Sequence, residues 1–177
     1  HWIAGVVAIS ATGLAGAGYA QGVTAERLLA AGSEAEAGNW LMVHKTYDSN
    51  RFSPLNEINA GNAANLKLAF AVPLGGLEPS AFGIGYMEGT PLVDNGFMYA
   101  SDPWGTPYKI DVSSGKQGKM VWVCDTGVDK DPSRGILLAS RGLALSGNNV
   151  ITALNDGRVR VIGNIDDLID LRHRKVI

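Results

Sequence analysis

Among the residues able to do chemistry, Glu88 has the most suggestive surroundings. It stands just ahead of EGTPLVDNGFMYAS, residues 88–101, which reads as a strand, an Asn-Gly turn and a second strand. A carboxylate there is either the solvated end of a strand or the acceptor for a cation or an N–H donor, and the neighbouring residues leave both open. Other clusters say less. Asp125, Asp129 and Asp131 in DTGVDKDPSRG approach the offsets of a calcium loop, but the glycine and closing glutamate of an EF-hand are missing. His44 and His173 have no ligand spacing around them and read as structural or exposed rather than metal-binding. Cys124 is the single cysteine, which rules out an internal disulfide and a thiolate metal cluster, and its expected place is a small, buried strand position. There is no phosphate-cradling Gly-x-Gly-x-x-Gly.

Glu88 has to be positioned by the elements around it, and these are strands. The 23 glycines, modest aromatic content and short apolar runs between turn signals indicate an all-β class with helix as a minor component. Near the start, Thr24 caps one short helix in TAERLLAAG, with Leu28 and Leu29 facing inward and Gly32 as its stop. Alternation at Leu66, Leu68, Phe70 and Val72 predicts a half-buried strand. Hairpin signals then recur, TPLV/FMYAS turning at Asp94-Asn95-Gly96, RGLAL/VITAL at SGNN, and VITAL/RVRVI at Asn155-Asp156-Gly157.

Two of these units repeat. Gly96 and Gly147 are 51 positions apart, as are Tyr108 and Val159, so GFMYASDPWGTPYKIDV and GNNVITALNDGRVRVIG read as one element used twice. A period near fifty residues with four short strands is the pattern of a propeller blade. Trp122 ends the fourth strand of the first unit and is expected to cover the gap between blades. The position 51 beyond it is His173, in the basic run LRHRK, so the second blade lacks a normal last strand. Two blades cannot close a ring, and their edges call for a covering partner, either the remainder of a propeller or another protein chain.

Charge and hydropathy bound the setting. A formal charge of −2 with scattered basic residues excludes a nucleic-acid surface. Residues 2–20, WIAGVVAISATGLAGAGYA, are apolar and end in small residues. They read as a signal peptide or a retained membrane anchor, and both imply export and possible membrane contact. The chain opens at His1 with neither Met nor a basic n-region, so its natural start is expected upstream. The expected organisation is a leader at 1–20, a helix and loop segment at 21–65, and partial propeller blades at 66–177.

In order and approximate spacing, TAERLLAAGSEAEAGNWLMVHKTYDSNRFSPLNEINAGNAANLKLAFAV, EGTPLVDNGFMYAS, YKIDVSSGK…MVW and SRGLAL…NDGRV resemble the N-terminal part of quinoprotein alcohol dehydrogenases. These are periplasmic enzymes of the methanol and ethanol dehydrogenase type that use pyrroloquinoline quinone (PQQ). The resemblance covers roughly residues 24–162, with NRFSPLNEIN and EGTPLVDNG its most distinctive parts. It implies an eight-bladed propeller whose blades close on an Ala-x-Asp-x-x-Thr-Gly-x-x-x-Trp-like motif, matched loosely by Asp111, Ser114, Gly115 and Trp122.

By the same resemblance Glu88 falls on a Glu close to the quinone, and Arg141 falls on an Arg that reaches the cofactor. The fork of guanidinium donors suits a carboxylate of PQQ. Against this stand the bland readings, a strand-end carboxylate and a surface ion pair of little energetic worth. The vicinal cysteines that many members carry before that Arg are absent from GILLASR, which bears on subclass and electron transfer. The family's metal ligands, catalytic Asp and quinone-stacking Trp lie beyond Ile177. No catalytic or metal residue is therefore assigned, and this chain alone is expected neither to hold PQQ tightly nor to turn over.

What the resemblance implies for a complete enzyme is oxidation of a primary alcohol by hydride transfer to PQQ, with calcium or a lanthanide as Lewis acid and a cytochrome c as electron acceptor. Its location would be periplasmic, with anchoring to the inner membrane if the leader is retained. The competing expectation is a non-catalytic, membrane-anchored propeller-type subunit docked on a larger complex.

Overall fold

The structure, a computed structural model, describes residues 22–75, 79–80, 83–131 and 138–163. The apolar leader and its expected helix, and the LRHRK segment with His173, lie outside these residues. No helix among the described residues is long and apolar enough to cross a membrane.

Among the described residues eleven strands carry the fold, the first two being the short β1 (Pro79–Ser80) and β2 (Gly83–Ile84), with one helix and two single-turn 3-10 segments. Helix α1 (Ala25–Leu29) starts at Thr24, whose hydroxyl accepts from the Arg27 amide at 3.3 Å. Leu28 packs on the core, as the sequence suggests. Leu29 does not, being 78% exposed, because adjacent residues on a helix point about 100° apart and only one of the two can face the core.

The first blade is an antiparallel meander in chain order: β4 (Leu92–Asp94), β5 (Phe97–Ser101), β6 (Pro107–Asp111) and β7 (Lys119–Val123). Asn95 and Gly96 turn β4 into β5 with φ of 49° and 81°, the two left-handed positions that a two-residue hairpin turn needs. The second sheet is another meander, β9 (Leu143–Ser146), β10 (Asn149–Ala153) and β11 (Val159–Ile162). Gly96 and Gly147 both turn the first strand of a unit into its second, and Tyr108 and Val159 both lie on third strands, so the 51-residue repeat is structural. Among the described residues these sheets do not close into a ring, which is the incomplete propeller expected.

One apolar cluster joins the two units. It holds Leu92, Tyr99 and Trp122 from the first blade and Leu143, Leu145, Val150 and Ile162 from the second, with Val23, Leu41 and Cys124. Trp122 is 2% exposed and tilted 57° against Tyr99, which is the covering role expected of it. The chain ahead of the blades straddles both. Val23 exchanges backbone hydrogen bonds with Gly147, and Trp40 with Val93. Arg27 bridges Glu36, at 2.6 and 2.9 Å, to Asp94 of β4 at 2.8 Å.

The strand expected at Leu66–Val72 is not one. That stretch has no ladder partner among the described residues, and Leu66 and Leu68 are 61% and 84% exposed. Phe70 and Val72 instead lie against Gly118, just ahead of β7, where a Cβ would meet Val72 at 2.3 Å. Alternation makes a strand only where a neighbour offers an unpaired edge.

Candidate functional site

Glu88 and Arg141 are brought together by the backbone. Strand β3 (Tyr86–Met87) pairs in parallel with β8 (Ala139–Ser140), Tyr86 opposite Ala139 and Met87 opposite Ser140. The ladder runs on through the Glu88 amide, which donates to the Ser140 carbonyl at 3.1 Å, and the Tyr86 amide, which donates to Leu138 at 2.7 Å. The next pair beyond the ladder is therefore Glu88 and Arg141. Their side chains meet, Arg141 Nη1 to Glu88 Oε2 at 3.0 Å.

Beyond this ion pair the two backbones touch at glycine. A Cβ on Gly89 would stand 2.4 Å from the Cα of Gly142 and 2.6 Å from its nitrogen. Gly142 has φ of +104°, a conformation that a side chain would strain. A glycine thus follows each charged residue, and the pair of glycines allows the loops to approach closely. The sequence signal was present in Glu-Gly-Thr and Arg-Gly-Leu, but neither glycine stands out until the two strands are seen to be parallel neighbours.

Below the ion pair lies a buried polar layer. Ser140 Oγ is 2.8 Å from Ser101 Oγ, and the Gly142 amide donates to Ser140 Oγ at 3.3 Å. Next along the chain, Asp102 is fully buried and accepts from the amides of Trp104 and Thr106, both at 2.9 Å, and from the Tyr108 hydroxyl at 3.2 Å. Lys130 Nζ stands 3.9 Å from the same carboxylate. Nothing in the sequence singles out Asp102, since an Asp before Pro-Trp-Gly reads as an ordinary turn residue.

The ion pair itself is open to solvent. The Arg141 side chain is 84% exposed and the Glu88 side chain 39%. Among the described residues Glu88 is the one partner of Arg141, so most of the guanidinium donors face outward. An anion carrying carboxylates fits that donor set, and the carboxylate of Glu88 can accept from an N–H on the same ligand.

The other candidates do not assemble. Among the described residues no group of three or more His, Cys, Asp or Glu is placed to hold a metal ion. Asp125 turns its carboxylate onto the Gly127 amide at 2.9 Å, and His44 Nδ1 accepts from Arg51 at 2.8 Å. Cys124 is buried just past β7, and burial pushes its thiol pKa up.

Known proteins share this fold. The sequence family described as PQQ, glucose/ethanol/alcohol dehydrogenase, beta-propeller domain, matches residues 40–171. The chain is 34% identical over 148 residues to the dehydrogenase subunit of alcohol dehydrogenase (quinone) from Gluconacetobacter polyoxogenes, covering 82% of this chain and 18% of that protein. It is 29% identical over 162 residues to the quinohemoprotein alcohol dehydrogenase ADH-IIG of Pseudomonas putida, with coverage of 90% and 21%. The solved structure of the Pseudomonas putida ADH-IIG enzyme superposes with a TM-score of 0.67 at 30% identity, over 79% of this chain and 19% of that one. A europium-containing methanol dehydrogenase has the same fold, with a TM-score of 0.56 at 24% identity over 78% and 25%. The chain spans about a fifth of the length of these curated relatives.

Proposed function

Because the chain belongs to the PQQ-dependent glucose, ethanol and alcohol dehydrogenase β-propeller family, we propose that it forms the first blades of an exported alcohol dehydrogenase and presents Glu88 and Arg141 to the quinone. The observation that carries this reading is the parallel β3–β8 register, which sets a carboxylate and a guanidinium 3.0 Å apart at one end of two strands. Chemistry supports it as well. PQQ carries three carboxylates and an N–H, and the outward donors of Arg141 and the acceptor oxygens of Glu88 match both.

The roles of this chain are binding and orientation. Arg141 pairs with a carboxylate of the ligand through donors that Glu88 leaves free, and Glu88 both orients the guanidinium and accepts a hydrogen bond from the ligand. When bound, PQQ supplies the two-electron redox chemistry that amino-acid side chains lack. The ligands of a Lewis acid, calcium or a lanthanide, and the base that takes the alcohol proton would be supplied by other parts of the complete enzyme. The substrate on this reading is a primary alcohol, the electron acceptor a cytochrome c, and the location the periplasm. One relative carries the name 1-butanol dehydrogenase (cytochrome c), which supports that acceptor. On the same reading residues 1–20 are a signal peptide or a retained membrane anchor, residues 21–65 an N-terminal helix and loop segment, and residues 66–177 partial propeller blades.

The test is quinone titration with calcium or a lanthanide present, using the full natural reading frame that carries this chain. Glu88→Gln and Arg141→Ala are each expected to weaken PQQ affinity about tenfold or more while leaving thermal stability within about 1 kcal/mol, because the pair is exposed. Unchanged affinity in both variants overturns the assignment. The chain by itself is expected to show no turnover, and submicromolar PQQ binding by it alone would refute the view that further blades complete the site.

A further inference from the structure

We propose that Ser101 and Ser140 are positioning residues whose shared hydrogen bond fixes the backbone on either side of Arg141 and so aims its guanidinium at the ligand. This rests on the reading of Glu88 and Arg141 as ligand contacts.

Ser140 immediately precedes Arg141 and touches both arms of the site. Its carbonyl accepts from the Glu88 amide at 3.1 Å, and its hydroxyl accepts from the Gly142 amide at 3.3 Å. Arg141 is thus held at the apex of a short turn, with the residue before it and the residue after it tied to one side chain. The Ser140 hydroxyl is in turn held by Ser101 of β5, Oγ to Oγ at 2.8 Å, and both serines are 6% exposed. Ser101 is the last residue of β5, an inner strand of the four-stranded sheet, and pairs with Pro107 of β6, so it links the turn to the first blade.

The burial of the pair makes the bond matter. A serine hydroxyl has one donor and two acceptor sites. With Gly142 already donating to Ser140, the contact with Ser101 supplies a further partner for a group shut away from water. Removing either hydroxyl leaves the other short of a partner. The Arg141 side chain, by contrast, is 84% exposed and has only Glu88 beside it among the described residues. Its aim therefore depends on its backbone, and a fixed backbone lowers the entropy lost when the guanidinium closes on an anion.

The experiment has two arms. In the full natural reading frame, PQQ is titrated with calcium present, far below each variant's melting temperature. Ser140→Ala and Ser101→Ala are each expected to weaken affinity about tenfold, the double variant no more than either single one, and Ser140→Thr, which keeps the hydroxyl, to restore most of it. A purely structural hydroxyl pair would lower the melting temperature and leave affinity unchanged, and that result overturns the proposal. The second arm needs no quinone. Amide hydrogen exchange in the same protein without quinone is expected to speed up at Glu88 and Gly142 in Ser140→Ala, and unchanged exchange at both overturns the proposal whatever the affinity does. Should the unmodified protein fail to bind PQQ, the proposed function falls, and the exchange arm still decides whether the serines hold this turn.

Discussion

Gly89 and Gly142 meet backbone to backbone, so closely that a Cβ on the first would stand 2.4 Å from the Cα of the second. Each glycine follows one member of the Glu88–Arg141 pair, so this contact sets how near the two charged side chains come. Gly89→Ala is expected to force the strands apart and cost about 1–3 kcal/mol of stability, since the obstacle is backbone and cannot rotate away. Chemical denaturation measures it, and a fully stable variant with the ion pair intact would show that the contact is not needed.

The Arg27–Glu36 bridge makes stability depend on pH in a definite direction. The Arg27 hydrogen bond, opposed by partial burial and helped by Asn39, holds the Glu36 carboxyl below the usual carboxylate range. A depressed value in the folded chain means that the contribution is complete above the ordinary Glu range and is lost as the pH falls through the depressed value. Glu36→Gln should flatten that acid limb. Arg27→Ala, which leaves Glu36 and Asp94 largely buried without their shared cation, is expected to cost about 3 kcal/mol at neutral pH. Equilibrium unfolding from neutral to acid pH checks both.

Asp102 organises the loop beneath the site. Replacing it with Ala removes the acceptor shared by the amides of Trp104 and Thr106 and the Tyr108 hydroxyl, and about 3 kcal/mol of destabilisation is expected. The Tyr108 hydroxyl also accepts from the Gly75 amide at 3.1 Å, so the loss should extend to the segment ahead of the blades. Asp102→Asn keeps one acceptor oxygen and should cost less. Equal stability of all three proteins would contradict the role given to Asp102.

Cys124 should behave as a packing residue. It is 5% exposed, and burial is the leading cause of a raised thiol pKa, so it stays protonated through neutral pH. Reaction with a disulfide reagent is expected to be slow in the folded chain and fast after unfolding. Rapid stoichiometric labelling of the native protein would contradict this.

The hairpins and their repeat were legible along the chain because a two-residue turn with Asn95-Gly96 and a 51-residue recurrence are local, countable properties. The Leu66–Val72 stretch misleads for the complementary reason. Its alternation is local, but its pairing depends on an available edge, and it lies against Gly118 with no ladder partner among the described residues. The Arg27–Asp94 bond spans 67 positions and leaves no periodic trace, so it could not be read beforehand.

For Glu88 and Arg141 the division is sharpest. Residue order alone determined that each charged side chain has a glycine after it, that strands flank both, and that the surrounding motifs resemble one enzyme family. Only the tertiary structure decided that β3 and β8 run parallel in a register that sets the two charges side by side, with Ser101 and Ser140 buried beneath them. The physical reason is that a parallel pair must be joined by a long excursion of chain, and nothing in the local pattern of either short strand specifies which distant edge it will meet.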